Sequence, residues 1–106
     1  MIYVESHLII DDPDFYADID EYKDPDGNSM PFIHVRVNRF TPSILKRIKE
    51  VWSALRASVQ GPIFCSRSDE DETFRKWLDL FEFRFVGAIP DGLGGTARVY
   101  VSFPEV

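Results

Sequence analysis

Apolar and polar positions alternate most regularly between Phe32 and Arg39, with Ile33, Val35 and Val37 on one side and His34, Arg36 and Asn38 on the other. A period of two marks a β-strand with one face buried. Phe15 to Tyr22 repeats it, setting Phe15, Ala17 and Ile19 against Tyr16, Asp18 and Asp20. A short helix beginning after Asp12, with Pro13 in its first turn, competes for part of that stretch. Upstream, Ile2-Tyr3-Val4 and Leu8-Ile9-Ile10 are β-branched and aromatic, and predict a first strand closing at Asp11-Asp12-Pro13. Asp24-Pro25-Asp26-Gly27-Asn28 is dense in turn formers, so it should join two antiparallel strands as a hairpin.

The period then lengthens to that of a helix. Thr41-Pro42 reads as an N-cap and first-turn proline, and Ile44, Leu45, Ile48, Val51, Trp52, Leu55 and Val59 trace one apolar stripe. Gly61-Pro62 predicts where that helix stops. Ile63-Phe64-Cys65 is short, apolar and bounded, as a strand buried between layers is. A strand–helix–strand crossover makes it parallel to the strand before the helix. Ser68 or Asp69 is the expected cap of a second helix, with Glu70, Asp71 and Glu72 in its first turn and Phe74, Trp77, Leu78 and Phe81 buried. Phe83 to Ile89 and Ala97 to Phe103 are two more strands, joined by a loop from Pro90 to Gly95. The expected class is α+β with an α/β-type core. A mixed, mostly antiparallel sheet carries two helices in the order β-β-β-α-β-α-β-β.

Composition narrows the setting. A chain of 106 residues predicts a single domain. No apolar run reaches the ~18–20 residues of a membrane span. Cys65 is the one cysteine, and Met1 to Ile10 lacks the pattern of a secretory signal, so a reducing cytoplasm is the expected location. The net charge of −6 is unevenly spread. Nine acids precede residue 31, opposed by Lys23 alone, whereas Arg36, Arg39, Lys46, Arg47, Lys49 and Arg56 outweigh Glu50 in the stretch that follows. The basic stretch is a candidate anion site, and the acidic one a candidate surface for a basic protein partner. Overall acidity argues against nucleic acid.

Candidate chemistry is sparse. His34 and Glu21 are the weak candidates for a catalytic base, with Glu5 and His7 behind them. Glu5-Ser6-His7 does not converge as a nucleophile, because adjacent strand residues point to opposite faces. Cys65 reads as a small core residue. Asp24, Asp26 and Asn28 superficially resemble a calcium loop, but Val35 stands where its glutamate belongs. No metal is expected there or at Asp11, Asp12 and Asp14.

One resemblance adds to this reading. FRKWLDLFEF at Phe74 to Phe83, then RFVG and, after a turn, ARVYV, resembles the closing motif of the GNAT superfamily, the Gcn5-related N-acetyltransferases. The order of elements extends the likeness over Asp18 to Val101. TPSILKRIKEVWSAL followed by GPIF looks like small GNAT-like proteins of tailed bacteriophages. The resemblance implies acetyl-coenzyme A as cofactor and an amine as acceptor. It puts the cofactor at Arg36, Val37, Asn38, Arg39, Thr41, Ser43 and Lys46, where the family splays two strands apart and the next helix begins. Three positions depart from the family pattern. Val37 to Ser43 contains no glycine and Pro42 removes a donor, so a phosphate cradle of the usual kind is not formed. Leu78 occupies the position of the family's proton-donating tyrosine. Glu82 stands in place of the glycine that closes the last helix. These departures open an alternative, a non-catalytic, phage-encoded binding or inhibitor protein that presents its acidic surface to a basic partner. A homodimer joined through an edge at Val101 to Phe103 is the third expectation.

Overall fold

The β2–β3 hairpin organises the sheet, and its turn sets the register. In the computed structural model, which describes residues 2–39, 41–67, 72–90 and 92–104 (backbone alone for 72–74), the elements run β1 (Ile2–Asp11), β2 (Phe15–Lys23), β3 (Ser29–Val37), α1 (Pro42–Ser58), β4 (Ile63–Arg67), α2 (Glu72–Leu80), β5 (Arg84–Pro90) and β6 (Thr96–Ser102). Asp24 Oδ1 accepts the backbone N–H groups of Asp26 (2.9 Å) and Asn28 (2.8 Å), and Gly27 takes the positive φ of 83° that the turn needs. From this turn the ladder runs without a register shift from Lys23 opposite Ser29 to Phe15 opposite Val37. The helix that competes for the residues after Asp12 does not form. Phe15, Ala17 and Ile19 all bury one face of β2, which only a strand allows.

The six strands form one sheet in the order β1-β2-β3-β4-β6-β5. Among the described residues only β3 and β4 pair in parallel. The class is α+β, with a mixed and mostly antiparallel sheet and two helices. Strand β6 lies between β4 and β5, so Val101 is buried and the expectation of an edge at Val101 to Phe103 is corrected. The sheet's edges are β1 and β5. A closing hairpin that folds back inserts its second strand beside β4, where that strand gains two hydrogen-bonded neighbours instead of one.

Both helices cover one face. Ile44 and Ile48 of α1 pack on Phe15 and Ala17, and Phe81 beyond α2 joins them. Leu78 of α2 packs on Cys65 and Tyr100, with Phe83 touching both clusters. Trp52 lies 5.6 Å from Phe81 and 5.3 Å from Phe83, and Trp77 lies 4.8 Å from Phe81, so an aromatic seam joins the helices. On the other face a row of rings, Tyr3, Tyr22, Phe32 and Phe64, crosses four strands at centroid spacings of 5.6, 5.5 and 5.3 Å. Such contacts add to area burial by about 0.5–1.5 kcal/mol per pair.

The two helices end by different means. Helix α1 follows its cap signal at the start, where Thr41 Oγ1 accepts the Ile44 N–H. Its end is not a glycine cap. Val59 is the extended C-cap, and Arg56 satisfies the carbonyls beyond it by donating to those of Val59 (2.9 Å), Gly61 and Ser102 (2.9 Å). One guanidinium thus ties the helix end to the lead into β4 and to the end of β6, and burial lowers its pKa. The expected caps of α2, Ser68 and Asp69, lie outside the described residues. At its far end the Phe83 N–H donates to the Leu78 carbonyl (2.8 Å) and the Glu82 N–H to that of Asp79 (3.3 Å). This is the Schellman pattern, completed by the packing of Phe83 on Leu78. It requires a left-handed residue, and Glu82 supplies it with φ 58°. A side chain there costs about 1–2 kcal/mol, partly offset because glycine loses more entropy on folding. Glu82→Gly should therefore raise the unfolding free energy by about 0.5–1 kcal/mol in urea denaturation, with an unchanged m-value.

Candidate functional site

Strands β3 and β4 share one paired position, Phe32 opposite Phe64, and then part. Each stays paired with its other neighbour along its length, β3 with β2 and β4 with β6. Each ladder follows its own twist, and nothing between them restores the hydrogen bonds. The gap between Ile33–Val37 and Cys65–Arg67 opens a cleft of about 570 Å³. Trp52, Trp77, Leu78, Phe81 and Phe83 form its apolar wall on the helix side. Alternate residues of a strand turn their amides to the same edge. Beyond Phe32 the edge of β3 therefore offers unpaired N–H and C=O groups to the cleft, as a mostly apolar pocket with a few fixed polar contacts does.

The residues expected at a cofactor site divide. Arg36 and Val37 border the cleft, together with His34. Asn38, Arg39, Thr41, Ser43 and Lys46 lie beyond its lining. The Asn38 N–H and Nδ2 donate to the carbonyls of Asp14 (2.9 Å) and Pro13 (3.0 Å), holding the end of β3 against the β1–β2 turn. Thr41 caps α1, and Arg39, Ser43 and Lys46 are exposed. The Arg36 guanidinium lies over the Tyr16 ring, 5.2 Å from its centroid.

Of the two candidate bases, the structure brings only His34 to the cleft. Its Nε2 is 2.8 Å from Asp20 Oδ2. Glu21 accepts from Ser29 Oγ (2.8 Å) and faces His7 Nε2 at 3.8 Å, away from the cleft lining. Glu5 lies 3.3 Å from the same His7 nitrogen. The partner that His34 has, Asp20, and its neighbour Asp18 were not singled out from the sequence. The signal was present, because a hairpin centred on Asp24–Asn28 sets Asp18 directly opposite His34. Tyr16 donates its hydroxyl to Asp18 Oδ2 (2.5 Å), and that bond, with burial and the carboxylate's charge, raises the phenol pKa.

The other acids act in their own turns. Asp24 holds the hairpin, and the Asn28 N–H foremost keeps its pKa low. Asp12 accepts from the Asp14 N–H (3.1 Å) and pairs with Arg47 at 3.0 Å, which likewise lowers its pKa. Cys65 is buried in the cleft floor, and desolvation pushes its thiol up to about 12. It is a neutral wall residue near neutral pH and not a nucleophile.

No helix among the described residues is long and apolar enough to cross a membrane. Comparison with known protein families, curated proteins and solved structures finds no match for this chain.

A raised thiol pKa makes the folded state hold its proton more tightly than the unfolded state, whose thiol titrates near 9.0. That contribution to stability is complete below pH 9 and is lost as pH climbs toward about 12. Denaturant titrations across this alkaline window should show a steeper fall in stability for the native chain than for Cys65→Ala. Below pH 9 the two curves should run parallel.

Proposed function

We propose that this chain is a GNAT-like domain that binds acyl-coenzyme A with the pantetheine arm in the β3–β4 cleft, and that it transfers an acetyl group to an amine. The observation that carries the reading is the single ladder pair between the parallel strands β3 and β4, followed by their divergence around an apolar cleft. Two antiparallel blocks meet there, with β6 inserted between β4 and β5. The left-handed Glu82 supports the same reading, since it stands where the family's closing motif has glycine, the residue that takes a positive φ without steric cost.

In this proposal the amides of the pantetheine arm pair with the unpaired edge of β3, as an added strand would. The Val37 N–H, on the strand edge opposite the Asn38 N–H that Asp14 holds, polarises the thioester carbonyl. His34 is the base. With Nε2–H donating to Asp20, its Nδ1 is left as the proton acceptor. Asp18 and Asp20 favour a cationic acceptor. Leu78 is buried where the family has its acid, so solvent protonates the departing thiolate and turnover is slow.

The same Leu78, and the start of α1 without glycine, favour a second reading in which the chain binds a basic protein through its acidic surface and catalyses nothing. Acetyl-coenzyme A at about a hundred times its dissociation constant should stabilise the protein by about 2.7 kcal/mol in thermal or chemical unfolding. Val35 borders the cleft and is 38% exposed, so Val35→Trp should fill the cleft without disturbing the core and weaken binding at least about tenfold. No stabilisation at millimolar ligand would end the acyl-coenzyme A reading. Binding without acetylation of any diamine or lysine peptide would leave the non-catalytic one.

A further inference from the structure

On the sheet face away from the helices, β2 and β3 bring Asp18, Asp20 and His34 together, each offering a ligand atom within 4.8 Å of the others. We infer that these three side chains form a binding site for a divalent transition-metal ion of the zinc or manganese class. Asp18 and His34 are directly opposed across the ladder, and Asp20 follows two residues along the same strand. Positions i and i+2 with a cross-strand neighbour share one face, so three ligands converge without a loop.

The two carboxylates are prepared alike. Ser6 Oγ donates to Asp20 Oδ1 (2.5 Å), and Tyr16 donates to Asp18 Oδ2 (2.5 Å). Each acid thus has one oxygen oriented by a hydroxyl outside the triad, as ligating carboxylates commonly do. Of the remaining oxygens, Asp20 Oδ2 faces His34, and Asp18 Oδ1 is buried with no hydrogen-bond partner. A desolvated carboxylate oxygen without a donor is costly. No ion pair to a lysine or arginine is found for Asp18 or Asp20 among the described residues, and the nearby Arg36 is stacked on Tyr16. A bound cation would give that oxygen a partner and neutralise the pair. The set of one imidazole nitrogen and two carboxylate oxygens suits zinc or manganese, whereas magnesium and calcium prefer all-oxygen shells.

A second group, Glu5, His7 and Glu21, has the same composition. It is more exposed and lacks a buried unpartnered oxygen, so it serves as the internal control. His34 belongs both to the triad and to the cleft wall, but the inference does not depend on acyl-coenzyme A. Coordination takes the His34 nitrogen away from proton transfer, so metal binding and a base at His34 exclude each other.

The test is calorimetric titration of the apo-protein with Zn²⁺, Mn²⁺ and Mg²⁺ in the absence of any coenzyme. Zn²⁺ or Mn²⁺ should bind the native chain and His7→Gln, Mg²⁺ should bind much more weakly, and Asp18→Asn and His34→Gln should each lose at least about tenfold in affinity. Imidazole ¹⁵N resonances of the native protein keep the test independent of how the variants fold, because those of His34 should shift with metal while those of His7 stay. Absence of binding to the native chain, or binding that follows His7 and survives His34→Gln, would overturn the site. Failure to bind acetyl-coenzyme A would not bear on it.

Discussion

The stack of Phe32 on Phe64 is the point from which the rest of the architecture diverges. It sits at the one position where β3 and β4 pair, with ring centroids 5.3 Å apart, and it closes a row of rings that begins at Tyr3 on the outer edge. Beyond that stack no ladder pair joins the two halves among the described residues, and Ile33 with the aromatic seam of the helices packs them together. A parallel pair with one ladder position cannot resist the separate twists of two antiparallel ladders, and the cleft is the consequence.

The helices hold the opening at a set width. Trp52 reaches from α1, Trp77 from α2, and Phe81 and Phe83 from the turn that ends α2, and their rings pack on one another at tilted angles of 41–58°. That turn owes its shape to Glu82 in a left-handed conformation, so a backbone cost at one exposed residue directs two aromatic side chains into the seam. Arg56 performs the matching task at the other end of α1, where its guanidinium gathers carbonyls from three segments.

The polar face of the hairpin has a different logic. Asp18, Asp20 and His34 belong to the most regular ladder in the chain, so their convergence follows from alternation and register and from no special loop. The acids that look most conspicuous in sequence, Asp12 and Asp24, are occupied by the amides of their own turns. The inconspicuous ones on the strand, Asp18 and Asp20, have no lysine or arginine partner among the described residues and meet His34 instead. Acids at turns here serve backbone geometry, by accepting the nearby amides.

Much of this was legible residue by residue. The alternation in β2 and β3, the Thr41-Pro42 start of α1 and the Asp24–Asn28 turn are local signals, because strand pleat, helix cap and turn hydrogen bonds are decided within a few residues. The seven positions expected to hold a cofactor do not converge on one place. Arg36 and Val37 border the cleft, while Asn38 and Thr41 are engaged in holding a turn and capping a helix. Sequence by itself determined the order of elements, the face each strand buries, and the opposition of Asp18 to His34, since these depend on period and turn position. Only the tertiary structure decided that β6 enters between β4 and β5, that β3 and β4 part after one pair, and that Trp52, Trp77 and Phe83 line the gap. Those outcomes depend on packing between segments distant in the chain, where no local periodicity records which neighbour a side chain will meet.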